Sequence, residues 1–167
     1  MHEIKPTPIM HRDVRWPNII RHYDGYQRFI LIDFDYATSS PSDKSLEEFS
    51  EYDHAPEMLV GKHDFKVDIW GVGKLVGSCN VTDIPSELLG FSMKLSNHNP
   101  NNRPTASVAL EWAKDMFRKV TVHNRSTCAV VFFFTIYILT KLNFSGLQTM
   151  IGWKRSKPCN VFGLYIA

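Results

Sequence analysis

Apolar residues in the first part of the chain fall in short clusters separated by turn formers. Ile19-Ile20 and Phe29-Ile30-Leu31-Ile32 flank Asp24-Gly25. An Asp-Gly pair between apolar runs is a hairpin signal, because both central residues of the tightest hairpin turn need positive φ. A two-stranded ribbon is expected there. From Tyr36 to Ser50 the sequence is rich in Ser, Asp and Glu, holds Pro41 and keeps no period, which predicts a long exposed loop. Val67, Ile69, Trp70, Val72, Leu75 and Val76 then spread around a helical wheel, the pattern of a helix buried on most sides and the expected pillar of the core. Pro85 opens a further helical stretch to Leu95, and Thr105 is placed to cap a last helix running through Trp112 and Met116 toward Val120. No internal repeat is present.

After residue 120 the pattern changes. Cys128 to Leu139 is twelve residues without a charge, a length that fits a buried or interfacial segment better than a membrane span. Extension to Trp153 reaches spanning length but places Lys141 near the centre. The twelve Val, Ile, Leu and Phe residues of 128–153 contribute roughly −4 to −7 kcal/mol to insertion, and a central Lys costs about 2.5–3.5 kcal/mol. Asn143, Gln148 and the glycines oppose insertion further, so the sum is close to zero, and membrane association through residues 128–153 stands as an alternative that is not favoured. The organisation expected is one lobe over residues 1–120 and a separate hydrophobic tail over 121–167, interfacial or disordered.

Composition narrows the class of protein without naming a chemistry. The 167 residues are 44% apolar and 22% charged, an ordinary globular balance. A net charge of +2 gives no basis for a nucleic-acid partner. Cys79, Cys128 and Cys159 are odd in number and widely spaced, so neither a disulfide framework nor a zinc pattern is predicted. With the polar start Met-His-Glu-Ile-Lys-Pro, which has no secretory character, they point to a cytoplasmic protein. His54 and His63 have no second ligand at metal-binding spacing and read as ordinary polar histidines.

The chemistry-bearing residues come in a fixed order. His11-Arg12-Asp13 is followed five residues after the Asp by Asn18; with each residue type at roughly one in twenty, that pattern arises by chance in about one chain in a thousand of this length. Asp33-Phe34-Asp35 ends the second apolar strand, Ala55-Pro56-Glu57 follows the Ser-rich loop, and Asp68-Ile69-Trp70-Gly71-Val72-Gly73 opens the buried helix. Asn99-Pro100-Asn101-Asn102-Arg103-Pro104 comes last. This series, covering residues 11 to about 117, resembles the large C-terminal lobe of a protein kinase, with Asp-Phe-Asp in place of Asp-Phe-Gly.

The resemblance implies an α+β, mostly helical fold and ATP-dependent transfer of phosphate to Ser or Thr hydroxyls of a protein substrate. Phosphoryl transfer needs positioning and charge neutralisation more than covalent help. By resemblance Asp13 orients the hydroxyl and accepts its proton, Asn18 and Asp33 hold Mg²⁺ through oxygen, and Arg15 reaches the γ-phosphate. His11 and Phe34 stack beneath the site, Asp68 ties down the catalytic-loop backbone, and Glu57 pairs with Arg103. Arg12 neutralises a phosphate on the 36–50 loop, where Thr38, Ser39, Ser40, Ser42, Ser45 and Ser50 are candidates. Trp16 reads as a packing residue.

The sequence also departs from that pattern. Arg15 stands where most such kinases have lysine, and its planar fork changes the geometry of the same charge. Asp35 replaces a glycine and adds negative charge beside the metal ligands. About a dozen residues separate the buried helix from Leu88, too few for a substrate-docking helix. Ten residues precede His11, with no glycine-rich loop and no strand lysine among them, so the chain as given is expected to transfer phosphate poorly. The alternative is a catalytically silent, kinase-like binding module.

Overall fold

The computed structural model describes residues 9–23, 27–43, 49–79 and 84–120, together with the helical residues Thr135, Tyr137, Ile138 and Thr140. In chain order the elements are β1 (Ile9–Met10), β2 (Ile19–Tyr23), β3 (Gln27–Leu31), β4 (Thr38–Ser39), α1 (Glu57–Val60), α2 (Lys66–Gly77), α3 (Ser86–Leu95) and α4 (Ala106–Val120). Single 3₁₀ turns lie at Trp16–Asn18 and Pro100–Asn102. The fold is α+β, with the helices forming the body and two separate two-stranded antiparallel sheets beside them, as in a kinase-like large lobe.

α2 is the pillar that the apolar pattern predicts. Val67 to Gly73, Leu75 and Val76 are all buried, so the helix meets protein on nearly every side. One side joins Val72, Leu75 and Val76 to Leu88, Leu95, Ala109 and Ala113 of α3 and α4. The other joins Val67 and Trp70 to Met10, Phe49, Ala55 and Met58. Close approach to α3 rests on glycine: a Cβ at Gly73 would lie 2.6 Å from the Ser96 nitrogen and 2.9 Å from the Ser92 carbonyl oxygen. The Ser92 hydroxyl donates to the Gly73 carbonyl at 2.8 Å, closing the same seam.

β2 and β3 pair in the register Ile19 to Leu31 and Tyr23 to Gln27. The intervening Asp24-Gly25 turn lies outside the described residues. Phe29 and Leu31 point into the main core and Ile30 does not, the alternation a half-buried ribbon requires. β1 pairs with β4, Ile9 to Ser39 and Met10 to Thr38, and Ser42 bridges His63. These two contacts fasten the start of the Ser-rich segment to the lobe. Residues 44–48 of that segment lie outside the described residues.

The Thr105 hydroxyl accepts from the Val108 N–H at 3.3 Å, satisfying one of the orphan donors at the start of α4. Beyond α4, Ile138 is fully buried in the cluster that contains Leu88, Leu95 and Ala113, with Tyr137 packed against it. The hydrophobic run therefore contributes at least one side chain to the lobe's own core. The rest of residues 121–167, including the start of that run, lies outside the described residues. No helix among the described residues is long and apolar enough to cross a membrane.

Candidate active site

The segment from His11 to Asn18 is held by one buried carboxylate on α2. Asp68 is 2% exposed; its Oδ2 accepts from the His11 N–H at 2.9 Å and its Oδ1 from the Arg12 N–H at 2.8 Å. Burial pushes the Asp68 carboxyl up, against the opposing pull of His11, the two backbone N–H groups and Arg12. Beneath the same turn a Cβ at Gly71 would stand 2.7 Å from the Val14 carbonyl oxygen, so glycine there lets α2 and the loop touch. Arg12 takes φ 70°, a left-handed conformation that is uncommon for a long side chain and costs on the order of 1–3 kcal/mol. It sends the amide to Asp68 while the guanidinium sits over Phe49, 5.1 Å from the ring centre. Its Nε and Nη2 are buried without a hydrogen-bond partner among the described residues, unspent donors that suit an anion.

Asp13 lies at the centre with its side chain 0% exposed. The Asn18 amide donates to Asp13 Oδ2 at 2.7 Å and to the Asp13 carbonyl at 2.9 Å. That spends the amide nitrogen and leaves the Asn18 oxygen as the atom able to ligate a cation. The Asn18 carbonyl accepts from the Ile32 N–H at 2.9 Å, so Asp33 follows directly on the residue bonded to Asn18. Asp33 is exposed, with φ 64°, a conformation Asp tolerates better than most residues. The charges of both Asp13 and Asp33 act on His11, whose imidazole burial nonetheless holds below its ordinary value. His11 Nε2 is 3.0 Å from the Ile32 carbonyl, and its ring meets Phe34 edge-on at 4.6 Å.

Arg15 does not project alone. Its Nε is 2.8 Å from Asp13 Oδ1, in a contact whose N–H direction misses the oxygen, and its Nη1 is 3.9 Å from Asp53. The guanidinium therefore rests as a counter-ion on Asp13, whereas the resemblance implied a contact with the γ-phosphate. Trp16 is 39% exposed and its indole N–H donates to the Ser78 hydroxyl at 3.1 Å, so it is anchored by a polar contact to the end of α2. His54, read from the sequence as an ordinary histidine, touches Asp13: its Nε2 is 3.2 Å from Oδ1. Nothing in the sequence signals this beyond its place directly before Ala55-Pro56-Glu57. Away from the centre, Arg103 and Glu57 meet through two parallel contacts of 2.5 and 2.9 Å.

The structure thus brings His11, Asp13, Arg15, Asn18, Asp33, Phe34 and Asp68 to one place, and Glu57 with Arg103 to a second, structural one. A buried carboxylate held by an amide, beside a second exposed carboxylate, provides a proton acceptor and two oxygen donors of the kind a hard divalent cation takes. No group of three or more His, Cys, Asp or Glu able to hold a metal occurs among the described residues. A cation at Asn18 and Asp33 would therefore complete its shell with water or phosphate oxygens, which is the habit of Mg²⁺.

No protein-family model matches the chain. Among characterised proteins it is 39% identical over 109 residues to crinkler effector protein 8 of Phytophthora infestans, covering 61% of this chain and 18% of that protein. It is 28% identical over 120 residues to Aurora kinase B of Danio rerio, covering 71% of this chain and 37% of that one. It is 40% identical over 72 residues to cGMP-dependent protein kinase 2 of Mus musculus, covering 41% of this chain and 9% of that one. The chain thus spans well under half the length of each of these relatives, and the kinase matches relate it to protein kinases.

Proposed function

We propose, from that relationship, that the chain is the catalytic-loop lobe of a protein kinase that transfers the γ-phosphate of ATP to Ser or Thr hydroxyls of a protein substrate in the cytoplasm. The observation that carries this reading is Asp13. It is a buried carboxylate aimed by the Asn18 amide, on a loop whose backbone is tied to α2 through Asp68. A group so placed is a positioned base, and positioning supplies most of the catalysis in phosphoryl transfer.

In this reading the substrate hydroxyl donates to Asp13 and its proton passes to that carboxylate. The hydroxyl oxygen forms the new bond to the γ-phosphorus, the bond from γ-phosphorus to the bridging oxygen breaks, and ADP leaves. Mg²⁺ bound through the Asn18 amide oxygen and the Asp33 carboxylate would neutralise charge on the phosphates. Arg15 turns from Asp13 to a phosphate oxygen as the hydroxyl takes its place. Arg12, with two unspent donors, holds a phosphate on the 36–50 segment and so fixes that segment beside the base. Contacts to adenine and to the α- and β-phosphates belong to a small lobe whose motifs are not found in these 167 residues. Supply of that lobe, in cis or by a partner, sets the rate.

The test is γ-phosphate transfer from Mg·ATP to a generic protein substrate by the natural protein as expressed, beside Asp13→Asn. Loss of a positioned base lowers the rate by about 10²–10⁴. Equal rates in the two would instead favour a second reading, a catalytically silent binding module. That reading draws on two observations: Asp13 is fully enclosed with Arg15 resting on it, and Asp35 stands where the pattern has glycine.

A further inference from the structure

His54 takes no part in the reading above, yet its buried ring touches the carboxylate of the proposed base. It is 6% exposed, and its Nε2 lies 3.2 Å from Asp13 Oδ1 across 41 residues of sequence. Its orientation is set from two further sides. The Ser50 N–H donates to Nδ1 at 3.0 Å. The Phe49 ring lies against the imidazole at 4.5 Å between centres, tilted by 36°. Phe49 is held in turn by Tyr36 at 5.3 Å and by the Arg12 guanidinium over its face. Nδ1 also lies 3.2 Å from the Ser50 carbonyl, so that end admits a ring nitrogen with or without a proton; the Asp13 carboxylate at Nε2 only accepts, and it selects the ring that carries a proton on Nε2 and donates it to Oδ1. A second partner at the far nitrogen fixes the plane of the ring and so the aim of the near one.

We propose that His54 is a positioning residue for Asp13: the seated end of the Ser-rich segment holds the rotamer of the base through His54 Nε2–H. This rests on the phosphotransfer reading. The reason such a residue is needed lies with Arg15, whose contact with Oδ1 is off-line and must be given up when the guanidinium moves to a phosphate. Asn18 then holds Oδ2 and His54 holds Oδ1, so the carboxylate keeps its direction while the place left by Arg15 admits the substrate hydroxyl. His54 gives up no proton in this role, because the hydroxyl proton goes to Asp13. The base is thereby coupled to the fold of residues 49–54: a segment that is not seated withdraws the Nε2–H donor, and Asp13 is free to turn.

Two measurements on the natural protein test this. In ¹⁵N-resolved spectra of the histidine rings, His54 is expected as the Nε2–H tautomer, with an Nε2 resonance that moves in Asp13→Asn. In steady-state transfer from Mg·ATP, His54→Asn, too short to reach Asp13, is expected to lower kcat about tenfold to a hundredfold with KM for ATP within about twofold. His54→Gln places an amide nitrogen where Nε2 stands and is expected to recover most of that loss. A purely structural histidine would lower the melting temperature in both variants without separating their kcat values, and that result overturns the proposal. So does an Nδ1–H tautomer, or a His54 resonance indifferent to Asp13→Asn, whether or not the variants fold. If the wild-type protein transfers no phosphate, the phosphotransfer reading fails on its own and the spectra alone decide whether His54 holds Asp13.

Discussion

Arg103 and Glu57 form a bidentate pair, Nη1 to Oε1 at 2.5 Å and Nη2 to Oε2 at 2.9 Å, with the arginine side chain fully enclosed. Arg103 spends its remaining donors on carbonyls: Nε on Asn97 at 2.7 Å, and Nη1 on Lys66 at 3.0 Å. Lys66 returns a contact from its ammonium to the Arg103 carbonyl. One guanidinium thus joins α1, the start of α2 and the turn before α4. Arg103→Ala strands the Glu57 carboxylate and those carbonyls, and a fall in unfolding free energy of about 3–5 kcal/mol is expected from chemical denaturation. Arg103→Lys keeps the charge but not the fork and should recover only part of the loss. An unchanged midpoint in a folded Arg103→Ala protein would remove the pair from the account of stability.

Asp68 governs the shape of the catalytic loop through two backbone amides. Asp68→Asn leaves one carbonyl oxygen for two donors and turns an amide N–H₂ toward the other, at a cost of roughly 1–3 kcal/mol. The expected signature is local: faster hydrogen exchange at the His11 and Arg12 amides than in the wild type, and a lower rate of any phosphotransfer. Unchanged protection at both amides would show that the loop holds its shape by other means.

Ile138 tests the relation between the tail and the lobe. Its side chain is fully buried among residues of α2, α3 and α4, so Ile138→Ala is expected to cost about 2–5 kcal/mol by lost transfer energy and cavity formation. Removal of residues 124–167 should destabilise the lobe as well, and thermal unfolding of both proteins checks it. A truncated lobe as stable as the whole chain would mean that the contact adds nothing.

The pH dependence of stability carries a term from His11. Burial holds its imidazole below the ordinary value, against Asp68, the Ile32 carbonyl, Asp13 and Asp33. As pH falls through about 6.5 the unfolded chain takes up a proton that the folded chain refuses. The His11 contribution is therefore complete above that pH and is lost on acidification. Asp68 works the other way: burial raises its carboxyl, so its contribution is present at low pH and lost as pH rises. The variant isolates the first. Melting temperature should fall more steeply from pH 7 to pH 5 in the wild type than in His11→Asn, and parallel curves would contradict the burial of a neutral His11.

The sequence by itself determined the hairpin, the three longer helices and the order of the chemistry, while β1, β4 and α1 left no mark in its pattern. The apolar positions from Val67 to Val76 leave no polar face wide enough for a surface helix, and α2 is buried as that pattern requires. The two apolar clusters around Asp24-Gly25 pair as a ribbon because period-2 burial and a turn signal leave one register that buries Phe29 and Leu31. His11-Arg12-Asp13 with Asn18 five residues on places an amide within reach of a carboxylate, a contact local enough for spacing to predict. What the tertiary structure alone decided lies across long separations. His54 meets Asp13 over 41 residues, Arg15 settles on Asp13 and Asp53 instead of projecting outward, and Ile138 leaves its hydrophobic run to fill the lobe's core. Periodicity and motif spacing record which face of an element is apolar and which local groups are neighbours. They do not record which distant side chain ends against which charge, because that depends on how whole elements pack.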